Sequence, residues 1–238
     1  MYLRVDFKIV LFAYGFPHRK TIDFINTIYQ HNFEISLILA ADYIKIKSPK
    51  SFFNISQKEC NISAYELAEK YNIPIHRVSH NSLEAQSLLK EYGINFGIIG
   101  GSRILSPDIV ALVEKGILNL HPGLLPDVRG LDSVLWSIEK DYPLGVTAHL
   151  INEEIDSGFI LKTEKVNISI DDNLLSLYEK IYQLQLYLLP RILNLVFTNN
   201  YSVLEVKKNG EYNHKMSYDK QIEISSKIYD YVKKHSNQ

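Results

Sequence analysis

Hydrophobic residues along the chain fall into short apolar runs that alternate with segments of helical spacing. The first run, Phe7 to Tyr14, is mostly apolar and stops at Gly15, which predicts a buried strand. Apolar positions at helical spacing follow from Thr21 to Tyr29, and a second strand is predicted from Phe33 to Ala40. A strand, a helix and a strand in this order predict a βαβ unit with parallel strands.

The same alternation continues to about Leu161 and predicts the fold class. Ser63 with Glu66, and Ser106 with Pro107, are typical helix starts. Two more helices are predicted, one from a cap at Asn81 to Gly93 and one from Asp132 to Lys140. The further strands are predicted at Ile73–Val78, Phe96–Ile99, Ile117–His121, Leu144–Leu150 and Phe159–Val166. We therefore expect an α/β fold, Rossmann-like, with a mostly parallel sheet and helices on both faces.

The last part of the chain has a different pattern. A long helix is predicted from Asp171 or Asp172 to about Asn199. Tyr201–Val206 and Glu211–Lys215 flank Asn209-Gly210, which predicts a hairpin with a type I′ turn, and Ile222–Val232 has the spacing of an amphipathic helix. We therefore divide the chain into a main domain, residues 1–199, and an appendage of one hairpin and one helix, residues 200–238.

Composition narrows the class of protein. The chain has 238 residues, of which 46% are hydrophobic and 22% charged, as in an ordinary globular protein. A net charge of −1 argues against a protein that binds nucleic acid or a membrane surface. The single cysteine, Cys60, can form no disulfide within the chain, which is typical of a reducing compartment. No apolar run is long enough to span a bilayer and the first residues do not resemble a signal peptide, so we expect a cytoplasmic protein.

Two polar residues stand out in the strand at Ile117–His121. Side chains alternate along a strand, so Asn119 and His121 point to one face while Leu118 and Leu120 point to the other. The carboxyl ends of strands are where open α/β sheets bind ligands. Taken alone, His121 is as compatible with a structural role as with a functional one.

A second polar segment, which contains Asp156, follows the strand predicted at Leu144–Leu150. We expect Asp156 to lie beside His121, so that the side chains of Asn119, His121 and Asp156 form one site. By itself, Asp156 in Asp-Ser-Gly would be an ordinary turn residue. His149 is interpreted as a half-buried strand histidine rather than a group that takes part in catalysis.

Several reaction classes lack their required residues. The turn after the first strand has one glycine, Gly15, which argues against a dinucleotide-binding fingerprint. Gly100-x-Ser102 lacks the second glycine of a hydrolase nucleophile elbow, and no spacing matches a zinc site. An asparagine and a cationic histidine can stabilise an oxyanion, and a carboxylate can accept a proton. These residues suit acyl transfer to an amine that the substrate supplies.

Two blocks of sequence and one loop resemble those of a known family. Asn119 to Pro126, followed by Arg129-Gly130, is similar to the Asn-x-His-x-x-Leu-Leu-Pro signature of the 10-formyltetrahydrofolate-dependent formyltransferases. Gly145 to His149 with Glu154 to Gly158 resembles the second signature of that family, and Gly101 to Ser106 resembles its folate-binding loop. The resemblance covers about residues 7 to 200. Where many members carry serine this chain has Gly123, a departure from which we expect little effect on catalysis.

The resemblance implies a catalytic triad of Asn119, His121 and Asp156. In such a site an amine attacks the formyl carbon of N10-formyltetrahydrofolate, the protonated His121 and Asn119 stabilise the oxyanion, and Asp156 orients His121 and helps to move the proton. It also implies that folate is the co-substrate and that no metal takes part. The residues implied in folate binding are Ser102, Arg103, Ile104, Leu105, Asn152, Glu153 and Ile155.

The acceptor is inferred by elimination within the family. Ala13 to Pro17 does not match the phosphate turn of glycinamide ribonucleotide formyltransferase, and too few residues follow Asn199 for the C-terminal domain of methionyl-tRNA formyltransferase. The chain also begins directly with the first strand, without the regulatory domain of formyltetrahydrofolate hydrolase. It is most similar to the sugar N-formyltransferases. That implies a nucleotide-linked amino sugar as acceptor, such as dTDP-4-amino-4,6-dideoxyglucose, in surface-polysaccharide (O-antigen) synthesis.

Some roles remain open in this interpretation. Arg129 or the lysines at 45–50 would meet the diphosphate, and a surface salt bridge is an equal alternative for Arg129. The hairpin at Val203–Lys215 would either pair in a homodimer, which we expect, or pack on its own domain. Two further interpretations stay open: a tRNA formyltransferase that lacks the usual C-terminal domain, and a folate- or nucleotide-binding module without catalysis.

Overall fold

The computed structural model describes residues 7–45, 50–55, 60–152, 158–205 and 211–236. The strands in this part of the chain are β1 (Ile9–Tyr14), β2 (Leu37–Ala41), β3 (Ile75–Arg77), β4 (Phe96–Ile99), β5 (Ile117–His121), β6 (Arg129–Gly130), β7 (Gly145–Leu150), β8 (Phe159–Lys165), β9 (Leu204–Glu205) and β10 (Tyr212–Asn213). The helices are α1 (Arg19–Gln30), α2 (Ala64–Tyr71), α3 (Leu83–Glu91), α4 (Pro107–Leu112), α5 (Ser133–Glu139), α6 (Leu174–Phe197), α7 (Tyr218–Ser225) and α8 (Ile228–His235).

The strands form one large sheet in the order β3-β2-β1-β4-β5-β7-β8-β9, beside a small sheet of β10 and β6. The pairings from β3 to β5 are parallel, and those from β5 to β9 are antiparallel. The predicted α/β fold with a mostly parallel sheet is confirmed.

Helices cover both faces of the sheet because the strand side chains alternate between two buried clusters. On β1, Leu11 packs into a cluster that contains residues of α1 and α6, whereas Phe12 packs into a second cluster with residues of α3 and α4. Both side chains are fully buried, as expected for a strand covered on both sides. The five parallel strands therefore present their carboxyl ends at one edge of a rigid, buried platform.

Two helix caps differ by a residue or two from the prediction. Helix α3 is capped by Ser82, whose hydroxyl accepts from Ala85 N at 3.1 Å, and not by Asn81. Helix α6 is capped by Asn173, whose side chain accepts from Ser176 N, and not by Asp171 or Asp172. Neighbouring residues of similar capping strength cannot be separated by sequence alone.

The predicted C-terminal hairpin is wrong for the strands that the structure describes. β9 pairs antiparallel with β8 and extends the main sheet, whereas β10 pairs parallel with β6. The predicted turn at Asn209-Gly210 lies outside the described residues. A lone two-stranded hairpin is marginal in water, and each short strand here has a partner on the main body. Strands β9 and β10 therefore pack on their own domain, and the expected homodimer stays a prediction.

The single helix predicted at Ile222–Val232 is two helices. The hydroxyls of Ser225 and Ser226 bind the carbonyls of Ile222 and Glu223, at 2.6 and 2.9 Å, where α7 ends. Serine side chains that bind nearby carbonyls compete with helix continuation. Four buried residues of the C-terminal segment belong to the same apolar cluster as the main sheet: Met216, Ile224, Tyr231 and Val232. The division at residue 199 stays a prediction, and the segment after it contributes to the core.

Within the described ranges, no helix is both long and apolar enough to cross a membrane.

Candidate active site

Strand β5 places Asn119 and His121 on one face, as predicted. Leu118 and Leu120 pack into the apolar cluster on the opposite face. The antiparallel partner β7 aligns His149 with Asn119 and Thr147 with His121, so these four polar residues form a patch across two neighbouring strands. The sheet thus brings together side chains from two sequence blocks about thirty residues apart.

His149 holds the carboxamide of Asn119. Its Nε2 lies 3.2 Å from Nδ2 of Asn119, and its ring is completely buried. An amide nitrogen only donates, so Nε2 of His149 acts as the acceptor and its ring is neutral in this contact. The interpretation of His149 as half-buried is therefore wrong: it is a fully buried positioning residue. Sequence reasoning missed this because the β5–β7 register cannot be read from either strand alone.

The imidazole of His121 is fixed by the loop that follows β5. Its Nε2 lies 2.8 Å from the carbonyl oxygen of Val128 and 3.4 Å from the hydroxyl of Ser133. A carbonyl only accepts, so Nε2 carries a proton, and proton transfer to or from the ring falls to Nδ1. With 3% of its surface exposed, His121 is a buried, oriented imidazole.

Gly123 lets this loop fold against His121. A Cβ at this position would lie 2.9 Å from Nε2 of His121 and 2.9 Å from the carbonyl oxygen of Val128. Thr147 ties the same loop to β7, because its hydroxyl donates to Gly123 O at 2.7 Å and accepts from Leu125 N at 3.0 Å. The departure from serine at Gly123 thus lies directly beside the His121–Val128 hydrogen bond.

The C-terminal segment fastens the far end of this loop. Asn213 donates from its side chain to Arg129 O at 2.8 Å, and its own carbonyl accepts from Leu131 N at 2.8 Å. Gly130 has a φ of +94°, and a Cβ there would lie 2.2 Å from the Asn213 carbonyl, so only glycine fits. Strand β10 therefore anchors the residues directly after Val128, whose carbonyl holds His121.

Arg129 is largely buried, with 9% of its surface exposed. This burial argues against the surface salt bridge that was the alternative for this residue. Its expected role toward a diphosphate stays a prediction.

Asp156, Glu153 and Ile155 lie outside the described residues, so the third member of the expected triad and two expected folate contacts stay predictions. The strands on either side of these residues are β7 and β8, which pair at Leu150 and Phe159. Ile151 N donates to Ile117 O at 2.9 Å, so this connection starts beside the first residue of β5. Asn152, the third expected folate residue of this block, is exposed.

The predicted folate loop, Ser102 to Leu105, follows β4, which is the strand next to β5. Asn81 holds it, because its amide donates to Ile104 O at 2.9 Å and its carbonyl accepts from Ser106 N at 2.9 Å. Leu105 is buried, whereas the side chains of Arg103 and Ile104 are exposed. The loop has a fixed backbone beside the Asn119 strand, and Asn81 is a supporting residue that the sequence analysis assigned only as a helix cap.

The described ranges contain no group of three or more His, Cys, Asp or Glu residues that could hold a metal ion. The groups on the Asn119 and His121 face are hydrogen-bond donors and an ionisable imidazole, which suit stabilisation of a developing oxyanion.

Comparison with known proteins gives the family context of this site. The family described as formyl transferase matches residues 23–193. A methionyl-tRNA formyltransferase of Chlorobium limicola is 29% identical over 177 residues, which are 73% of this chain and 53% of that protein. The chain spans about half or less of the length of the curated relatives it matches.

Two solved structures share the fold. A phosphoribosylglycinamide formyltransferase from Anaplasma phagocytophilum has a TM-score of 0.64 at 18% identity, covering 88% of this chain and 100% of its own. The formyltransferase PseJ from Anoxybacillus kamchatkensis, solved with UDP-4,6-dideoxy-4-formamido-L-AltNAc and tetrahydrofolate, has a TM-score of 0.61 at 20% identity, covering 94% and 99%.

Proposed function

Because the chain belongs to the formyl transferase family, we propose that it transfers a formyl group from 10-formyltetrahydrofolate to the primary amine of a nucleotide-linked amino sugar. The observation that carries the transfer chemistry is the pair of oriented side chains on β5, where His149 holds Asn119 and Val128 holds His121. Preorganised N–H donors in a buried site stabilise a developing oxyanion without the cost of reorganising water.

The chain's own residues have distinct roles in this proposal. The folate supplies the formyl group, and the acceptor amine forms the new C–N bond at the formyl carbon as the bond to the folate nitrogen breaks. Asn119 donates from the amide nitrogen that His149 orients, and His121 presents Nδ1 because Nε2 is engaged by Val128. The amine loses a proton and the departing nitrogen gains one, and Asp156 assists that transfer as the resemblance implies.

In this proposal, folate binds at the loop that follows β4. The backbone of this loop is fixed by Asn81, and the loop follows the strand adjacent to β5, so a flat ring bound to this backbone would lie beside the strand that carries Asn119. Binding by fixed backbone groups is the mode expected for the residues from Ser102 to Leu105.

The acceptor class is supported by a solved relative and by the first strand. The fold is shared with a formyltransferase solved with a UDP-linked formamido sugar and tetrahydrofolate, at a TM-score of 0.61. Strand β1 ends at Tyr14, and the turn after it carries Phe16 in place of a glycine-rich phosphate turn. The product would serve surface polysaccharide such as O-antigen.

A second candidate is a methionyl-tRNA formyltransferase, which the 29% identity to such an enzyme favours. Its substrate is a large polyanion, and binding of that kind needs clustered positive charge. The net charge of −1 weighs against it. The expected homodimer and the cytoplasmic location belong to the proposal as well.

The test is a transfer assay with 10-formyltetrahydrofolate and separate acceptors: UDP-, dTDP- and GDP-linked amino sugars, glycinamide ribonucleotide and methionyl-tRNA. Formylated sugar nucleotide, together with tetrahydrofolate in equal amount, supports the proposal. Formylation of the tRNA or of the ribonucleotide alone overturns the acceptor class. An inactive His121→Ala variant that still binds folate assigns the chemistry to this site.

A further inference from the structure

An open cleft of about 600 Å³ lies where β1, β2 and β3 end, apart from the residues of the proposed reaction. None of its lining residues is among the expected site residues. They are Gly15, Phe16, Asp42, Tyr43, Tyr65 and Arg77. Gly15 and Phe16 follow β1, Asp42 and Tyr43 follow β2, and Arg77 is the last residue of β3. The cleft is therefore at the ligand-binding edge of the parallel sheet.

Its walls are aromatic rings that face solvent. Tyr43 is 69% exposed and Tyr65 is 37% exposed, although both are large side chains at the edge of a packed sheet. Phe16 stands perpendicular to Tyr43 with 5.5 Å between ring centroids and stacks on Tyr14 at 4.9 Å. Tyr14 and Phe16 thus support each other, while the Tyr43 ring stays open to solvent. Such a set of rings offers faces on which a flat aromatic ligand can stack.

A polar pair accompanies the rings. Arg77 Nε and Asp42 Oδ1 are 2.7 Å apart, and 71% and 57% of these side chains are exposed. This bond uses one of the five guanidinium N–H groups, so a donor edge stands beside a carboxylate acceptor. The edge of uracil, thymine or guanine presents a carbonyl beside an N–H group, which complements that arrangement. The carboxylate repels a phosphate, so the pair suits a base rather than the diphosphate.

The distance from the cleft to the strand of His121 suits an acceptor as long as a nucleotide-linked sugar. Strands β1, β2 and β3 are two, three and four positions from β5 in the sheet order. At about 4.8 Å per strand, the cleft spans roughly 10 to 19 Å from the strand that carries His121. A nucleotide-linked sugar has its base at one end and the sugar amine at the other, separated by ribose and diphosphate. The exposed Arg103 follows β4, the strand between β1 and β5.

We propose that this cleft, defined by Phe16, Tyr43, Tyr65, Asp42 and Arg77, binds the nucleobase of the acceptor. The rings stack on the base, and the Asp42–Arg77 pair reads its carbonyl and N–H edge. The inference rests on the proposed function for the identity of the acceptor. Folate is the competing flat ligand, and the predicted folate loop lies on the β4–β5 side instead.

The experiment measures binding without any reaction. Isothermal titration of UDP, dTDP, GDP, CDP and ADP into the full chain is compared for the wild type, Tyr43→Ala and Arg77→Ala. The matched control is Tyr229→Ala, because Tyr229 is also 69% exposed but lies on α8. Loss of one stacked ring is expected to weaken nucleotide binding about tenfold. Arg77→Ala is expected to erase the preference for UDP, dTDP and GDP over CDP and ADP. Tetrahydrofolate affinity should stay unchanged in both variants.

The outcomes separate this inference from the proposed function. Wild-type affinity for nucleotides in Tyr43→Ala overturns the nucleobase cleft, and the formyl-transfer proposal stands. Loss of tetrahydrofolate binding in Tyr43→Ala also overturns it, since the cleft would then hold folate. If no nucleoside diphosphate binds the wild type, the acceptor class fails together with the cleft. Selective tenfold loss of nucleotide affinity, with normal folding and folate binding, supports it.

Discussion

Two regions of the main sheet differ in how exposed their side chains are. We call the region at β5 and β7 the buried end and the region at β1 and β2 the aromatic end. At β5 and β7, the polar side chains of Asn119, His121 and His149 are wholly or mostly buried, and each accepts or donates to an identified partner. At β1 and β2, the aromatic rings of Phe16 and Tyr43 border an open cleft, and Tyr43 is mostly exposed.

This contrast separates two physical tasks. A group that stabilises a transition state must be held before the reaction, and burial with fixed partners achieves that. A surface that selects a ligand gains from area that is still exposed, because burying it on binding supplies the free energy. The buried end therefore suits the proposed transfer chemistry, and the aromatic end suits the proposed recognition of the acceptor.

The first prediction concerns the rate of formyl transfer and the buried end. His121→Ala should lower kcat for formyl transfer by about 10³-fold, because an oriented acid–base group is lost. Nucleotide affinity measured by titration should change less than about twofold. A parallel loss of nucleotide affinity would mean that the two ends are not separate. Circular dichroism and the unfolding midpoint serve as the control for folding.

The next prediction concerns the anchor of the His121 loop. Gly130→Ala should lower the free energy of unfolding by about 3 kcal/mol, because a positive φ and a backbone clash combine. The added Cβ would lie 2.2 Å from Asn213 O. The matched control is Gly93→Ala, where φ is +61° and nothing lies within 4 Å of the Cβ. That control should cost about 1 kcal/mol in urea unfolding. Equal losses for the two variants would show that β10 does not constrain the loop.

A third prediction tests whether His149 positions the side-chain amide of Asn119 for the reaction. His149→Leu removes the acceptor of the Asn119 amide and should lower kcat by about 10- to 30-fold, with KM for the acceptor nearly unchanged. His149→Gln offers an oxygen acceptor and should recover part of that loss. A purely structural role predicts no such recovery in kcat. Steady-state kinetics of both variants distinguish the two cases.

A fourth prediction concerns the pH dependence of stability at the aromatic end. Burial lowers the pKa of His18 to about 4, and His18 caps α1 beside Tyr14. The folded state resists the proton that the unfolded state takes up near pH 6.5, so stability is present above that pH and falls toward pH 4. His18→Asn keeps a capping side chain without titrating. It should reduce the loss of stability between pH 7 and 4.5 by roughly 2 kcal/mol.

Thermal or urea unfolding of both proteins at the two pH values measures this difference. Identical pH dependence in wild type and His18→Asn would assign the acid sensitivity to other groups. His80 is one such group, since it is buried against Ala13 O and Leu39 O and burial lowers its pKa too.

Much of the fold was predictable because it depends on local patterns. The apolar runs at β1, β4 and β5 and the capping box of Ser63 and Glu66 appear in the structure where the sequence placed them. The C-terminal hairpin failed for a non-local reason. β9 and β10 each have the pattern of a short strand, but their partners β8 and β6 are far away in the chain. A strand pattern specifies that a partner is needed and not which one.

For the candidate site, the strand pattern alone predicts that Asn119 and His121 share a strand face, since side-chain alternation is a local property of the backbone. The groups that hold these two side chains come from distant parts of the chain and depend on the folded sheet. His149 reaches Asn119 through a strand register, and Asn213 secures the loop after Val128 from 84 residues away. The aromatic cleft could not be predicted for the same reason. Phe16 and Tyr43 follow β1 and β2 and Arg77 ends β3, and only the parallel sheet brings these strand ends side by side.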